Sequence, residues 1–436
     1  MNDPKNAIDR RRFLRLGGAG LTTGALAISS LGGLDRLRAL EAGAAPADVA
    51  YRMAANADAT GLILVSVQLD GGLDFLNTVV PTASRYRDLR RGGALAADGL
   101  LALDADYALN SNMPNLASAW QRGDLAIAHG VGLPNGTLSH FSDTDVWTRG
   151  RQEAGDGTGW IARALDNMSA DTDPLIAISV GDLSPTMYGP GWNGVALPDD
   201  GQLPWSAEFV QNNPGLVAAY QQMLTAGGRT GSSLSLAEQV RSSQQLVRDV
   251  ADVVGGATDL ERIAAAAELF EDDGSDVAAE GTLNVQLGLV ADLINGGLPT
   301  RAYHVALDGF DTHGNQQTDL PLLLSELDSA IGSFQQRLGT NASKVVIATW
   351  TEFGRRPDWN GSGTDHGTAG TQLVVGPSVR GGHFGEPSPL DRFDHNDNFL
   401  VTTDFTSYLG GLVRGVLGVD PNQALPQGAT SMELIS

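Results

Sequence analysis

The chain has 436 residues, with 55 Gly, 7 His and no Cys, and 28 Lys and Arg stand against 51 Asp and Glu for a formal net charge of −23. Without cysteine there can be no disulfide, zinc ribbon, iron–sulfur cluster or thiol nucleophile, so any metal must be held by imidazole and carboxylate. The acidic excess argues against nucleic acid or an anionic membrane surface as the main partner, while 42% hydrophobic against 18% charged residues is a composition that builds a core.

The N-terminal segment reads as an address. Arg10-Arg11-Arg12-Phe13-Leu14-Arg15 precedes a weakly apolar Gly/Ala/Leu stretch ending near Leu31 and the small-residue run Ala42-Gly43-Ala44-Ala45. A basic head, an apolar middle and a small-residue cleavage site describe a signal peptide, and the arginine pair followed by Phe-Leu is the twin-arginine (Tat) pattern. Residues 1–45 are therefore expected to be a Tat leader, with the Tat translocase as partner during export to the periplasm or the exterior. The leader holds 7 of the 28 basic and 4 of the 51 acidic residues, leaving 21 against 47 and a mature net charge of −26. No later stretch reaches the roughly 18 uninterrupted apolar residues of a membrane span.

Beyond the leader, apolar runs bounded by turn residues occur at Leu62–Leu69, Leu125–His129, Leu175–Val180, Ala302–Leu307, Val345–Trp350 and Gln372–Val375. Their length and β-branched content predict buried parallel strands. Apolar residues at 3.6-residue spacing predict helices over Phe141–Gln152, Trp160–Met168, Leu216–Thr225, Leu234–Val254, Leu260–Phe270, Leu283–Leu293, Leu320–Leu338 and Phe405–Leu417. The alternation predicts one α/β domain over residues 46–436, with helices on both faces of a mostly parallel sheet. Residues 181–233 are rich in Pro, Gly and Trp and 234–296 read as mostly helical, so 181–296 is expected to be an insertion or cap.

Five of the seven histidines fall in turn-like segments just after apolar strand candidates, where open α/β sheets bind their ligands. Asp70-Gly71-Gly72-Leu73-Asp74 follows the first strand, leaving Asp70 and Asp74 as rival ligands. Ser139-His140-Phe141 places a hydroxyl at a helix start, where the helix dipole and free N–H groups favour an alkoxide and a bound oxyanion. Gly309-Phe310-Asp311-Thr312-His313 and Gly363-Thr364-Asp365-His366-Gly367 put adjacent carboxylate and imidazole groups in glycine-flanked loops, a pattern suited to divalent ions. His383 stands in a further glycine-rich loop, Arg355 and Arg356 offer a clamp for an anion, and His304, within an apolar strand, reads as a core residue.

The Arg-Arg-x-Phe-Leu leader, Gly71-Gly72-Leu73-Asp74-Phe75-Leu76-Asn77, Ser139-His140-Phe141 with Asp145 and Trp147, Gly159-Trp160, Phe310-Asp311-Thr312-His313, Thr351-Glu352-Phe353-Gly354-Arg355 and Gly363-Thr364-Asp365-His366-Gly367 occur in order across nearly the whole mature chain. Together they resemble the bacterial domain-of-unknown-function 1501 family, which itself resembles the alkaline phosphatase/sulfatase superfamily. The resemblance implies an alkaline-phosphatase-like three-layer α/β/α fold with a mostly parallel central sheet and a largely helical insertion. It further implies Ser139 as nucleophile and Arg355 as a catalytic anion-stabilising group. Asp74, Asp365 and His366 would hold one divalent metal ion and Asp311, His313 and His383 a second, the metal being zinc, magnesium, manganese or calcium. Ser139 lacks a Cys/Ser-x-Pro-x-Arg context, which speaks against formylglycine chemistry.

Two functions are therefore expected to compete, ahead of a metal-binding dioxygenase that only the His/Asp chemistry recommends. One is an exported metal-dependent hydrolase or transferase of phosphate or sulfate esters, acting on an anionic ester substrate. The other is a catalytically degenerate exported binding or assembly protein for a cell-surface polymer or partner.

Overall fold

The structure is a computed structural model that describes residues 60–153, 155–166, 174–190, 192–197 and 283–436. The leader, most of the 181–296 insertion and the helices predicted within 216–270 lie outside the described residues.

Among the described residues, nine strands build the central sheet: β1 (Ile63–Leu69), β2 (Leu125–Gly132), β3 (Ala177–Val180), β4 (Val195–Leu197), β5 (Ala302–Leu307), β6 (Val345–Trp350), β7 (Ala369–Val375), β8 (Gly382–Phe384) and β9 (Thr403–Asp404). Their order is β8-β2-β7-β6-β1-β5-β3-β4, with β9 also paired to β2. The register sets Ser66 of β1 beside His304 of β5 and Ala348 of β6. All pairs are parallel except those of β7, which runs antiparallel to both β6 and β2. This corrects the expectation of a parallel strand at Gln372–Val375: a local apolar run specifies burial, and direction comes from the short hairpin of Gly354–Arg355 with His366–Gly367, which turns the chain back after β6.

Period-2 alternation sends Val65, Val67 and Leu69 of β1 into one core and Leu64 into the other. The first core is roofed by α1 (Pro114–Arg122), and the second by α2 (His140–Arg149) and α3 (Trp160–Asp166). Helices α4 (Leu283–Asn295) and α5 (Gln316–Leu338) join α1, while α6 (Phe405–Gly415) joins α2 and α3, completing a three-layer α/β/α domain. The stripe Leu320, Leu323, Leu324, Leu327, Ile331, Phe334 and Leu338 holds α5 on the sheet despite Pro321 within it. Helix α5 begins four residues before the predicted Leu320, because Gln316 is buried and its amide bridges the Asp74 carboxylate and the Thr312 and Thr364 hydroxyls. No helix among the described residues is long and apolar enough to cross a membrane.

His304 is a core residue, 4% exposed, with Nδ1 lacking a hydrogen-bond partner among the described residues. Burial lowers its pKa to about 4, whereas the unfolded chain takes up the proton near 6.5. The stability this neutral histidine confers is complete above pH 6.5 and is lost as pH falls toward 4, a change of about 3 kcal/mol. Urea unfolding of His304→Phe is expected to show an acid loss of stability shallower by about that amount over this window.

Candidate metal centre

Because β1, β5 and β6 are parallel neighbours, the loops that follow them leave one edge of the sheet together. The turn after β2 reaches the same place: Leu138 accepts at its carbonyl from His366 Nδ1 at 2.9 Å, and His140 Nδ1 lies 2.7 Å from Glu352 Oε1. Leu138 itself has φ 60°, a left-handed conformation uncommon for a side-chain-bearing residue.

Three imidazoles converge on Asp311. His366 Nε2 lies 2.9 Å and His313 Nε2 3.2 Å from Oδ1, and His140 Nε2 lies 3.4 Å from Oδ2. Each ring is oriented from behind through Nδ1: by Glu352 for His140, by Asp365 at 3.0 Å for His313, and by the Leu138 carbonyl for His366. Oxygen acceptors at Nδ1 place the ring proton there and leave every Nε2 with its lone pair turned inward. Burial pushes the His366 pKa down, which favours that neutral form. Burial would raise the Asp311 carboxyl, but the Arg355 guanidinium, hydrogen-bonded and ion-paired to it, outweighs burial and holds the group at about 2.

This donor set fits a divalent cation. Ligand atoms of His140, Asp311 and His366 lie within 4.8 Å of one another. Bonds of about 2.1 Å at tetrahedral or octahedral angles separate donors by roughly 3.0–3.4 Å, close to the spacings around Asp311. Nε2 of His313 and His366 face each other at 2.9 Å, a separation that two donors on one cation, or one proton shared between them, produces. Imidazole nitrogen with carboxylate suits zinc or manganese better than calcium.

Two of the supporting residues carry much of the order. Glu352, with its side chain fully buried, receives the Gly71 N–H at 3.0 Å and the Thr351 hydroxyl at 3.1 Å while it holds His140. Glu352→Gln is expected to weaken metal binding by about 10- to 100-fold without unfolding the chain, as measured by competition with a chelator. Gly71 has φ 117°, and a Cβ there would sit 2.3 Å from the backbone nitrogen of Asp311. Gly71→Ala is expected to cost about 3 kcal/mol or more, seen as a lowered unfolding midpoint.

Ser139 occupies the cap position of α2, yet its side chain caps nothing. Asp143, one turn into the helix, instead accepts from Thr137 N, Thr137 Oγ1 and Leu138 N at 2.8–2.9 Å. Among the described residues no hydrogen bond engages the Ser139 hydroxyl, which stands between the residue that holds His366 and His140 itself.

Other site expectations are corrected. Asp74 is fully buried and accepts from Arg90, from Gln316 Nε2 at 2.6 Å and from Leu76 N at 3.2 Å, so its carboxylate is engaged in structure. Asp365 orients His313 and accepts from Asn360. Arg355, also fully buried, donates to the carbonyls of Gly71, Gly72, Phe310 and Thr364 and to Asp311 Oδ1 at 2.6 Å. It stitches three loops and aims Asp311 instead of facing a substrate. His383 is drawn elsewhere by the pairing of β8 with β2, where Nδ1 lies 2.7 Å from His129 Nε2 and Nε2 lies 2.8 Å from Asp104, beside Tyr107 and Trp120. The Asp311/His313/His383 set is therefore not assembled, and His140 and Glu352 take places that sequence reasoning left empty. Adjacency to Ser139 was the signal for His140, and an acid directly after a buried strand the signal for Glu352.

A family model described as "Protein of unknown function (DUF1501)" matches residues 102–405, well over half of the chain. The chain belongs to the DUF1501 family. No curated protein sequence matches this DUF1501 chain. Among solved structures it is similar to a protein in the alkaline phosphatase superfamily from Vibrio parahaemolyticus, at 10% identity and TM-score 0.38, covering 84% of this chain and 69% of that one. It is also similar to a sulfatase from Pseudoalteromonas sp., at 12% identity and TM-score 0.35 with 89% and 77% covered. A third, the lipoteichoic acid synthase LtaP from Listeria monocytogenes, matches at 9% identity and TM-score 0.33 with 86% and 74% covered.

Proposed function

We propose that this DUF1501 protein is an exported, divalent-metal-dependent hydrolase or transferase of phosphate or sulfate esters with Ser139 as its nucleophile. The observation that carries the reading is the Ser139 hydroxyl, unspent on capping at the start of α2 and flanked by residues anchored to the His/Asp centre. The twin-arginine leader supports export.

His140, His366 and Asp311 would hold the metal, with His313 as a further donor. When bound, a divalent ion supplies positive charge that polarises the ester and favours the serine alkoxide. The protein's own groups do the rest. The N-terminus of α2 adds partial positive charge at Ser139 Oγ, and the turn held by Asp143 and by His366 fixes its direction. Ser139 Oγ, its proton lost to solvent, attacks the phosphorus or sulfur as the ester O–P or O–S bond breaks, and the leaving alkoxide takes a proton from water; water then cleaves the phospho- or sulfo-seryl ester, releasing phosphate or sulfate and restoring the serine. Arg355 keeps Asp311 ionised and aimed.

The direct test is turnover of aryl phosphate and aryl sulfate by the purified chain loaded in turn with zinc, manganese and magnesium. Turnover with at least one metal supports the proposal. A chain that binds metal yet turns over neither ester class under any of them would overturn it and favour the binding or assembly role.

A further inference from the structure

We propose that the alcohol half of the ester is a small ammonium-bearing alcohol, seated against Phe141 in the pocket beside the metal centre; this rests on the ester-transfer reading above. The pocket, about 290 Å³, opens next to His140 and is walled by Phe141, Asp70, Thr144, Asp145 and Pro185. That volume is at the small end of ligand sites and suits a head group more than an extended polymer.

Its chemistry selects for positive charge. Phe141 is 90% exposed, an unusual position for a large aromatic ring on the first turn of a helix, and its face is open to a cation. Asp70 pairs with no Lys or Arg among the described residues. Burial and the neighbouring Asp308 push its carboxyl above the ordinary range, against hydrogen bonds with Gln68 and Glu352 and the nearby His140. Asp145 adds a second carboxylate, shared with Arg149 at 2.7 Å. No Lys or Arg lines the pocket among the described residues, and Arg355 is engaged on backbone carbonyls and Asp311. An anionic leaving group would meet like charge here. A cation meets an aromatic face and two carboxylates, with the Thr144 hydroxyl at the wall.

Choline phosphate and 3,3-dimethylbutyl phosphate share shape and differ in charge, so the metal-loaded full chain should be assayed on both. The cationic ester is expected to show kcat/KM at least about tenfold higher, with the ratio falling toward unity in Phe141→Ala, whose exposed ring leaves no core defect. In parallel, choline alone is titrated by NMR, and its binding is expected to weaken at least about fivefold in Phe141→Ala. Equal kcat/KM for the two esters, or a preference for the neutral one, overturns the inference while leaving ester transfer standing. Choline binding that depends on Phe141 without turnover of either ester supports the cation pocket and sinks ester transfer. Absence of both overturns both.

Discussion

Ser139→Ala is expected to lower ester turnover by at least about a thousandfold while leaving thermal stability within about 0.5 kcal/mol of the parent. The two halves of this expectation come from one observation. A cap serine replaced by alanine loses about 1 kcal/mol because an N–H at the helix start loses its acceptor. Here the serine hydroxyl caps nothing, and Asp143 instead fixes the preceding turn through the N–H groups of Thr137 and Leu138. A mutant that keeps its activity removes Ser139 as nucleophile. One that loses stability as well as activity returns the residue to a structural role.

Asp311→Asn and His366→Ala are each expected to weaken binding of the divalent ion by about a thousandfold or more, with turnover falling in proportion, because each removes one of the converging donors. Asp311→Asn is the sharper of the two. Its amide oxygen can still accept from Arg355, so the ion pair seen at 2.6 Å loses charge without losing its hydrogen bond. If Asp311 serves only to neutralise buried Arg355, the substitution costs stability and leaves metal content unchanged. If it is a ligand, elemental analysis after metal-replete refolding shows the ion gone from a folded chain.

Much of the scaffold could be read from the residues. Ala302–Leu307 and Val345–Trp350 form strands over the bounds their apolar runs suggest, because a buried parallel strand needs little beyond a continuous β-branched run. The edges were harder: β4, β8 and β9 have three or fewer residues each and are strands only through their neighbours. The same non-local pairing explains the site. Asp311, His313 and His366 lie in loops that leave parallel neighbours, so their meeting follows from the sheet. A glycine-flanked His383 looks equally like a ligand, yet the register of β8 on β2, with His383 opposite Ile127, carries it to His129 and Asp104. Nothing local to Asp74 announces that Arg90, sixteen residues on, closes over its carboxylate. Arg355 sits in a Gly-Arg-Arg context that reads as an exposed clamp, and only the folded loops reveal that carbonyls of three segments surround it.

On this reading His140, His366 and Asp311, with His313 beside them, form one metal centre next to a free Ser139 hydroxyl. The most direct measurement is an anomalous difference map from a crystal of the chain grown with manganese or zinc, recorded at that metal's absorption edge. The expected result is one strong peak about 2.0–2.2 Å from Nε2 of His140 and His366 and from an Asp311 oxygen, with Ser139 Oγ turned toward it. A map featureless at Asp311, or one whose peak lies at His129 and His383 instead, would contradict this account.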